Sequence, residues 1–574
     1  MERRLLRYAA IVAALILTLT TAPAAGAQSP APYGLNDAGG FLNILPAGEQ
    51  GVDNALQFGQ FEATGAIPQH FDDQLPMYEN LVYAAPTLTD AQVPDYFKDA
   101  TFGVQDANVT GTESPEPGLT IVRDQYDVPH IYGQTRSEVM FGAGYAGAED
   151  RLFLMDVLRH SAEGTLASFV GGSPANREMD ETQWSIAPYT TQDLQSQIDA
   201  APTLYGAQGT QLAQDGQDYV DGINAYIQQA ENPLFAAQLM PAEYAALGKL
   251  PQPWHLTDVI AEASLIGGIF GLGGGGQVDS ALALEALQKR LGKTAGERAW
   301  SDFREADDPE SPSTIFSKRF PYEDGPAFST RGLALPDPGS VSFPPIGSPA
   351  ATSSAQLRHG SSGFLANVGA QLLAALRNPT HASNWELISA RDSATGHALA
   401  VMGPQVGYYV PEILMEEDLH GPGIDARGAA FPGVNQYVEL GHGRDYAWSA
   451  TTSTSDNVST FAEVLCQDAY HYLYKGHCLP MEKLVDVDSW TPNASDMTPA
   501  GTETLTAYRT VHGIVYARGK VHGKPVAFVH DRSTYFHEAD SAIGFSELND
   551  PNFVTGPASF QQAASRINFL FNWG

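Results

Sequence analysis

From Gly118 onward the apolar positions fall into two different periods along the chain. Leu119-Thr120-Ile121-Val122-Arg123 is a short β-branched run, Asp127 marks a turn, and Pro129-His130-Ile131-Tyr132 returns, which predicts two consecutive strands. Phe141, Tyr145, Ala148, Leu152 and Met155 then follow at intervals of 4, 3, 4 and 3, one face of an amphipathic helix. Further helical spacing runs through Tyr219-Ile223-Tyr226-Ile227, Val259 to Ile269 and Ala281 to Leu291. Residues 118–325 therefore read as mainly helical. Residues 308–365 are rich in Pro, Ser and Gly, the texture of a linker or a processed segment, and a spacer is placed at 326–382. After Ser383 the pattern turns to strands: Leu387-Ile388-Ser389, Ala398 to Met402, Tyr437 to Leu440 and Tyr446-Ala447-Trp448. Residues 383–574 are thus a strand-rich unit, and 28–117 are expected to be an extension with little regular structure.

The first 27 residues have a different texture. Arg3, Arg4 and Arg7 precede an apolar run from Ala9 to Thr21, and Ala25-Gly26-Ala27 offers a small-x-small cleavage site. That order predicts a signal peptide cut near Ala27/Gln28 and a secreted product, extracellular or periplasmic. The residues around Arg3-Arg4 fit a twin-arginine signal poorly, so the general secretory route is favoured. No other stretch reaches eighteen uninterrupted apolar residues, so no membrane span is expected.

Charge narrows the partners. The 31 Lys and Arg face 66 Asp and Glu, a formal net charge of -35. Such a surface repels phosphate backbones and anionic lipid, which argues against nucleic acid and membrane surfaces as partners. Cysteine is scarce: Cys466 and Cys478 flank an aromatic run with a Lys475-Gly476 turn signal, a predicted hairpin. In an oxidising compartment the two form a plausible disulfide, two free thiols being the alternative.

Several motifs lead nowhere. Gly271-Leu272-Gly273-Gly274-Gly275-Gly276 has dinucleotide-loop spacing but follows a helical pattern rather than a strand, so it reads as a break between helices. His537-Glu538 begins like a zinc-protease helix, yet Ser541 stands where the second His belongs. No G-x-S-x-G elbow occurs. Ser383 is different in position, lying where the loose linker ends and the strands begin. A serine needs a base to act as nucleophile. Were the chain cut before it, its own α-amine, with a reference pKa of about 7.7–8.0, could serve.

A series of local marks runs through the chain in a fixed order. They are Arg123-Asp124 with Val128-Pro129-His130-Ile131, Gly144-Tyr145 with Asp150-Arg151-Leu152-Phe153, and Pro253 and His255 around Trp254. Ser383-Asn384, Gly403-Pro404-Gln405, His420-Gly421 and the Trp448 region follow. Together they resemble the penicillin acylase family of N-terminal-nucleophile hydrolases, from Gly118 to Gly574. The resemblance implies an α+β fold, a four-layer αββα sandwich built jointly by both halves. It implies a precursor that cuts itself between Ala382 and Ser383, discards the spacer and matures to a heterodimer of α and β chains.

By the same resemblance Ser383 is the nucleophile and Asn384 and Gln405 belong to its site. The backbone N–H of Thr452 is an oxyanion donor. The acyl pocket is placed at Val406 and Leu440, with Gly267 and Phe270 from the helical half, and its residues point to an aliphatic acyl chain. The expected activity is that of a secreted, self-processing N-acyl amide hydrolase. Its substrate would be a small acyl amide such as a β-lactam side chain, an acyl homoserine lactone or an acylated lipopeptide. No cofactor is required. A structural calcium would take Asp456, the Val458 carbonyl, and the positions of Ser459 and Gln277, where the family usually has acids. The chain stops at Phe569-Leu570-Phe571-Asn572-Trp573-Gly574 in mid-pattern, which reads as a C-terminally truncated precursor. The alternatives are an exported non-catalytic binding protein on the same fold and an inactive truncated precursor.

Overall fold

The computed structural model describes residues 37–50, 54–269, 271, 273–303, 334–348, 368–371, 382–405, 409–453 and 456–574. The expected signal peptide and most of the expected spacer lie outside the described residues.

The two strands expected after Gly118 are Leu119–Arg123 and Pro129–Gly133, an antiparallel pair. The turn between them is closed by Asp124, whose carboxylate accepts from the backbone N–H groups of Tyr126 and Val128 at 2.8 and 3.0 Å. These strands do not form a sheet alone. Pro129–Gly133 lies parallel to Met415–Gly421, with His130 opposite Asp418 and Tyr132 opposite His420. A seven-stranded sheet results, running Ala447–Trp448, Leu440–His442, Ile424–Ala430, Met415–Gly421, Pro129–Gly133, Leu119–Arg123, Gly111–Glu113. The helical and strand-rich halves thus share one sheet, and the architecture is α+β.

The seam between the halves is polar and buried. Asp418 lies 2.6 Å from His130 Nδ1 and 2.7 Å from His420 Nε2, and His420 Nδ1 lies 2.5 Å from Asp425. Burial alone would pull the His420 imidazolium down, but Asp418 and then Asp425 outweigh it and hold its pKa up to about 9.

On the sheet lies the helix Arg136–Glu163, opened by a capping box between Thr135 and Glu138 and interrupted at Arg151 by φ -143°, ψ 17°. It packs on the helix Ala207–Ala230. Glycines allow the close approach: a Cβ at Gly144 would fall 1.9 Å from the Tyr219 carbonyl oxygen, and one at Gly222 would fall 2.0 Å from that of Phe141. The core around them contains Leu119, Ile131, Tyr145, Leu419 and Trp448, drawn from both halves.

The segment before Gly118 is more ordered than its composition implies. Ala55–Thr64 and Leu75–Ala84 are helices, the first capped by Asn54 and ended by Gly65 at φ 73°. Gly111–Glu113 is the edge strand of the main sheet. Lys98 is buried and its ammonium sits 2.5 Å from buried Glu416. A desolvated charge pair of that kind needs a defined partner, so the extension is part of the fold, against the expectation of little regular structure.

A five-stranded antiparallel sheet follows in the second half, in the order Val458–Val464, Lys524–Arg532, Gly513–Val521, Gly501–Thr510, Glu482–Trp490. The expected hairpin is His471–Tyr474 and His477–Pro480, turning through Lys475 and Gly476 at φ 47° and 83°. Cys466 and Cys478 are joined in a disulfide, which selects between the two readings of the cysteines.

Candidate active site

Ser383 lies in the strand Ala382–Ile388, paired antiparallel with Leu399–Gln405. The register sets Ser383 opposite Pro404, Ala382 opposite Gln405 and Asn384 opposite Gly403. Residues some twenty positions apart in sequence are thereby brought together. Pro404 has no N–H to offer its partner strand. The Ser383 carbonyl accepts instead from the hydroxyl of Thr451, at 2.9 Å. Ser383 is half-buried, and Asn384 and Gln405 are exposed.

Thr451 belongs to the strand Ala450–Thr452, paired antiparallel with Phe571–Trp573. Ser449 and Gly574 exchange both backbone hydrogen bonds, at 2.9 and 3.1 Å. Such pairs alternate with pairs whose N–H and C=O groups point outward. Counting from Ser449 and Gly574, Thr452 and Phe571 form an outward-pointing pair. The Thr452 N–H is therefore directed away from its strand partner and is not used in the ladder. Thr451 is the residue of this site that sequence reasoning missed; its neighbour Thr452 and the face alternation of a strand were the available signal.

The expected acyl-pocket residues do not form one group. Val406 and Phe270 lie outside the described residues. Leu440 packs with Ile413, Leu414, Ala429 and Phe431 on the main sheet. Gly267, in the helix Leu256–Ile269, faces Phe569, whose ring lies 2.5 Å from where a Cβ would stand. Phe569 also lines an apolar cleft partly open to solvent, with Ile260, Ala263, Ile266 and Phe545.

Three of the four expected metal positions do converge. The Gln277 side-chain amide nitrogen lies 3.4 Å from both Asp456 Oδ2 and the Val458 carbonyl. Ser459 is exposed and pairs with Asp531 instead.

The penicillin amidase sequence profile matches residues 119–573. The chain belongs to the penicillin amidase family. It is 28% identical to penicillin G acylase of Escherichia coli over 424 residues, 70% of this chain and 46% of that protein. It is 23% identical to an acyl-homoserine lactone acylase of Pseudomonas aeruginosa over 366 residues, 63% of this chain and 36% of that one. This family member thus spans less than half the length of either curated relative. Against a solved thermostable penicillin G acylase from Alcaligenes faecalis the TM-score is 0.30 at 26% identity, over 37% of this chain and all of that one.

The calcium expected from the family does not fit the donors present. Calcium takes 6–8 oxygens at about 2.3–2.6 Å. Among the four expected positions only Asp456 carries a carboxylate, and its Oδ1 already accepts the Val458 N–H at 3.1 Å. The Val458 carbonyl accepts the Gly275 N–H at 2.7 Å, and Gln277 presents N–H rather than lone pairs. Among the described residues no three His, Cys, Asp or Glu side chains group to hold a metal ion, and no helix is long and apolar enough to cross a membrane.

Proposed function

We propose that this family member is the precursor of a secreted N-acyl amide hydrolase that works through Ser383 after cutting itself between Ala382 and Ser383. The observation that carries the reading is the placement of Ser383 next to Pro404 and Gln405, with its carbonyl held by Thr451. In the cut form the freed α-amine of Ser383 takes the hydroxyl proton through a water, and Oγ attacks the amide carbon. The Thr452 N–H stabilises the oxyanion, a kind of contact worth about 2.7–4 kcal/mol of barrier. The amine leaves with the proton, and water then releases the acid and restores the serine. Asn384 and Gln405 position the site. The acyl group is aliphatic, a reading that rests on the aliphatic residues Val406 and Leu440 at the positions the family resemblance assigns to the acyl pocket. A β-lactam side chain, an acyl homoserine lactone and an acylated lipopeptide all present a linear amide of that kind. The mature form would be a heterodimer of α and β chains, exported by the N-terminal signal peptide.

Intact mass under denaturing conditions, on the secreted product, tests this. The expected result is two chains, one beginning at Ser383, with cutting abolished in Ser383→Ala. A single uncut chain would overturn it and favour a non-catalytic binding protein.

A further inference from the structure

Gly271 and Gly273 to Gly275, which follow the helix Leu256–Ile269, are held against the strand-rich half by hydrogen bonds. Asn457 bridges it with both ends of its amide, Nδ2 donating to the Gly271 carbonyl at 2.9 Å and Oδ1 accepting from the Gly273 N–H at 2.9 Å. The Gly273 carbonyl accepts the N–H groups of Asn457 and Val458, both at 3.0 Å. Gly274 pairs with Val458 in a parallel bridge, and His530 Nε2 lies 3.1 Å from the Gly275 carbonyl. Glycine is required at the centre of this contact. Gly274 has φ 89°, and a Cβ there would fall 1.7 Å from Asp456 Oδ1.

Gln277, at the first turn of the next helix, completes the contact. Its amide nitrogen points at Asp456 and Val458, while its Oε1 accepts from the Thr460 hydroxyl at 2.8 Å. We infer that the Gln277 amide does at this seam the work a divalent cation would do. It offers positive hydrogens to the Asp456 carboxylate and the Val458 carbonyl and so ties the helical half to the strand-rich half without a metal. A neutral amide carries no net charge to set against the carboxylate, but its dehydration costs far less than that of a divalent ion, and its oxygen is already satisfied by Thr460. The hydrogen bonds of Gly271, Gly273 and Gly275 to Asn457 and Val458 supply the rest of the hold. Stability of the join is then indifferent to calcium. This inference stands apart from the role of Ser383, since it concerns how the halves adhere and not what they catalyse.

Thermal unfolding of the full chain in excess calcium chloride and in excess EDTA tests it, with Gln277→Met as the variant. The same Tm is expected in both solutions for the native chain. Gln277→Met, similar in volume but without the amide, is expected to lower Tm by about 2 °C in both. A native chain whose Tm falls by several degrees in EDTA and recovers with calcium would overturn the inference. So would a Gln277→Met chain with unchanged Tm.

Discussion

Thr451 donates its hydroxyl to the backbone carbonyl of Ser383 across 68 residues of sequence, at 2.9 Å. Opposite Ser383 in the strand register stands Pro404, which has no N–H. The serine is thus held by a side chain from a different strand pair, in addition to the ladder that sets its register.

Removing this hydroxyl should loosen the serine without disturbing the core. A neutral hydrogen bond contributes about 0.5–1.5 kcal/mol net. Thr451→Val is expected to slow appearance of the chain beginning at Ser383 by about fivefold, with Thr451→Ser close to the native rate. Quantitative mass spectrometry over a time course reads both.

Stability should fall on the alkaline side. Burial pushes the Glu439 carboxyl up to about 8 from 4.5, while Asp418 and Asp425, against burial, hold His420 up to about 9 from 6.5. In both cases the folded chain binds a proton that the unfolded chain has released. The contribution of Glu439 is full below its unfolded value and lost as pH rises through about 8; that of His420 is lost as pH rises through about 9. Urea midpoints measured across this range should decline with pH. Glu439→Gln should flatten the lower part of the decline and His420→Asn the upper part.

The helix crossing at Gly144 has no room for a methyl group. Gly144→Ala places a Cβ 1.9 Å from a backbone oxygen that belongs to the neighbouring helix, so the helices must separate. A loss of about 1–3 kcal/mol is expected from overpacking, read as a lower urea midpoint. Ala substitution at Gly276, where a Cβ meets nothing within 4 Å, is the control.

The Cys466–Cys478 bond closes a short loop, with a sequence separation of 12. Loop-closure entropy assigns such a link about 3 kcal/mol. The double variant Cys466→Ser with Cys478→Ser should lose stability on that scale, and reduction of the native protein should reproduce the loss.

The glycine-rich loop shows how a correct local reading can stop short. Its helical lead-in argued against a nucleotide site and marked a break between helices. That it would dock on Asn457 and Val458 was not visible, because the partners lie some 185 residues away and glycine carries no side chain to announce them. Residues 28–117 erred in the other direction: short apolar runs looked unstructured, yet Lys98 and Gly111–Glu113 are fixed by partners in the rest of the fold.

What the sequence by itself determined is local or marked by order. The strand pair after Gly118, the helix beginning at Arg136, the hairpin at Lys475-Gly476 and the serine at the edge of the linker all follow from spacing and turn chemistry within a few residues. The ordered marks from Arg123 to Trp448 carried the family. Tertiary structure alone decided the parallel pairing of His130 with Asp418, the Thr451 contact on Ser383 and the meeting of Gln277 with Asp456. The physical reason is range. Periodicity records what a residue does to its own helix or strand, whereas these contacts join segments 68 to 288 residues apart, and their geometry exists only once the shared sheet and core have brought the two halves together.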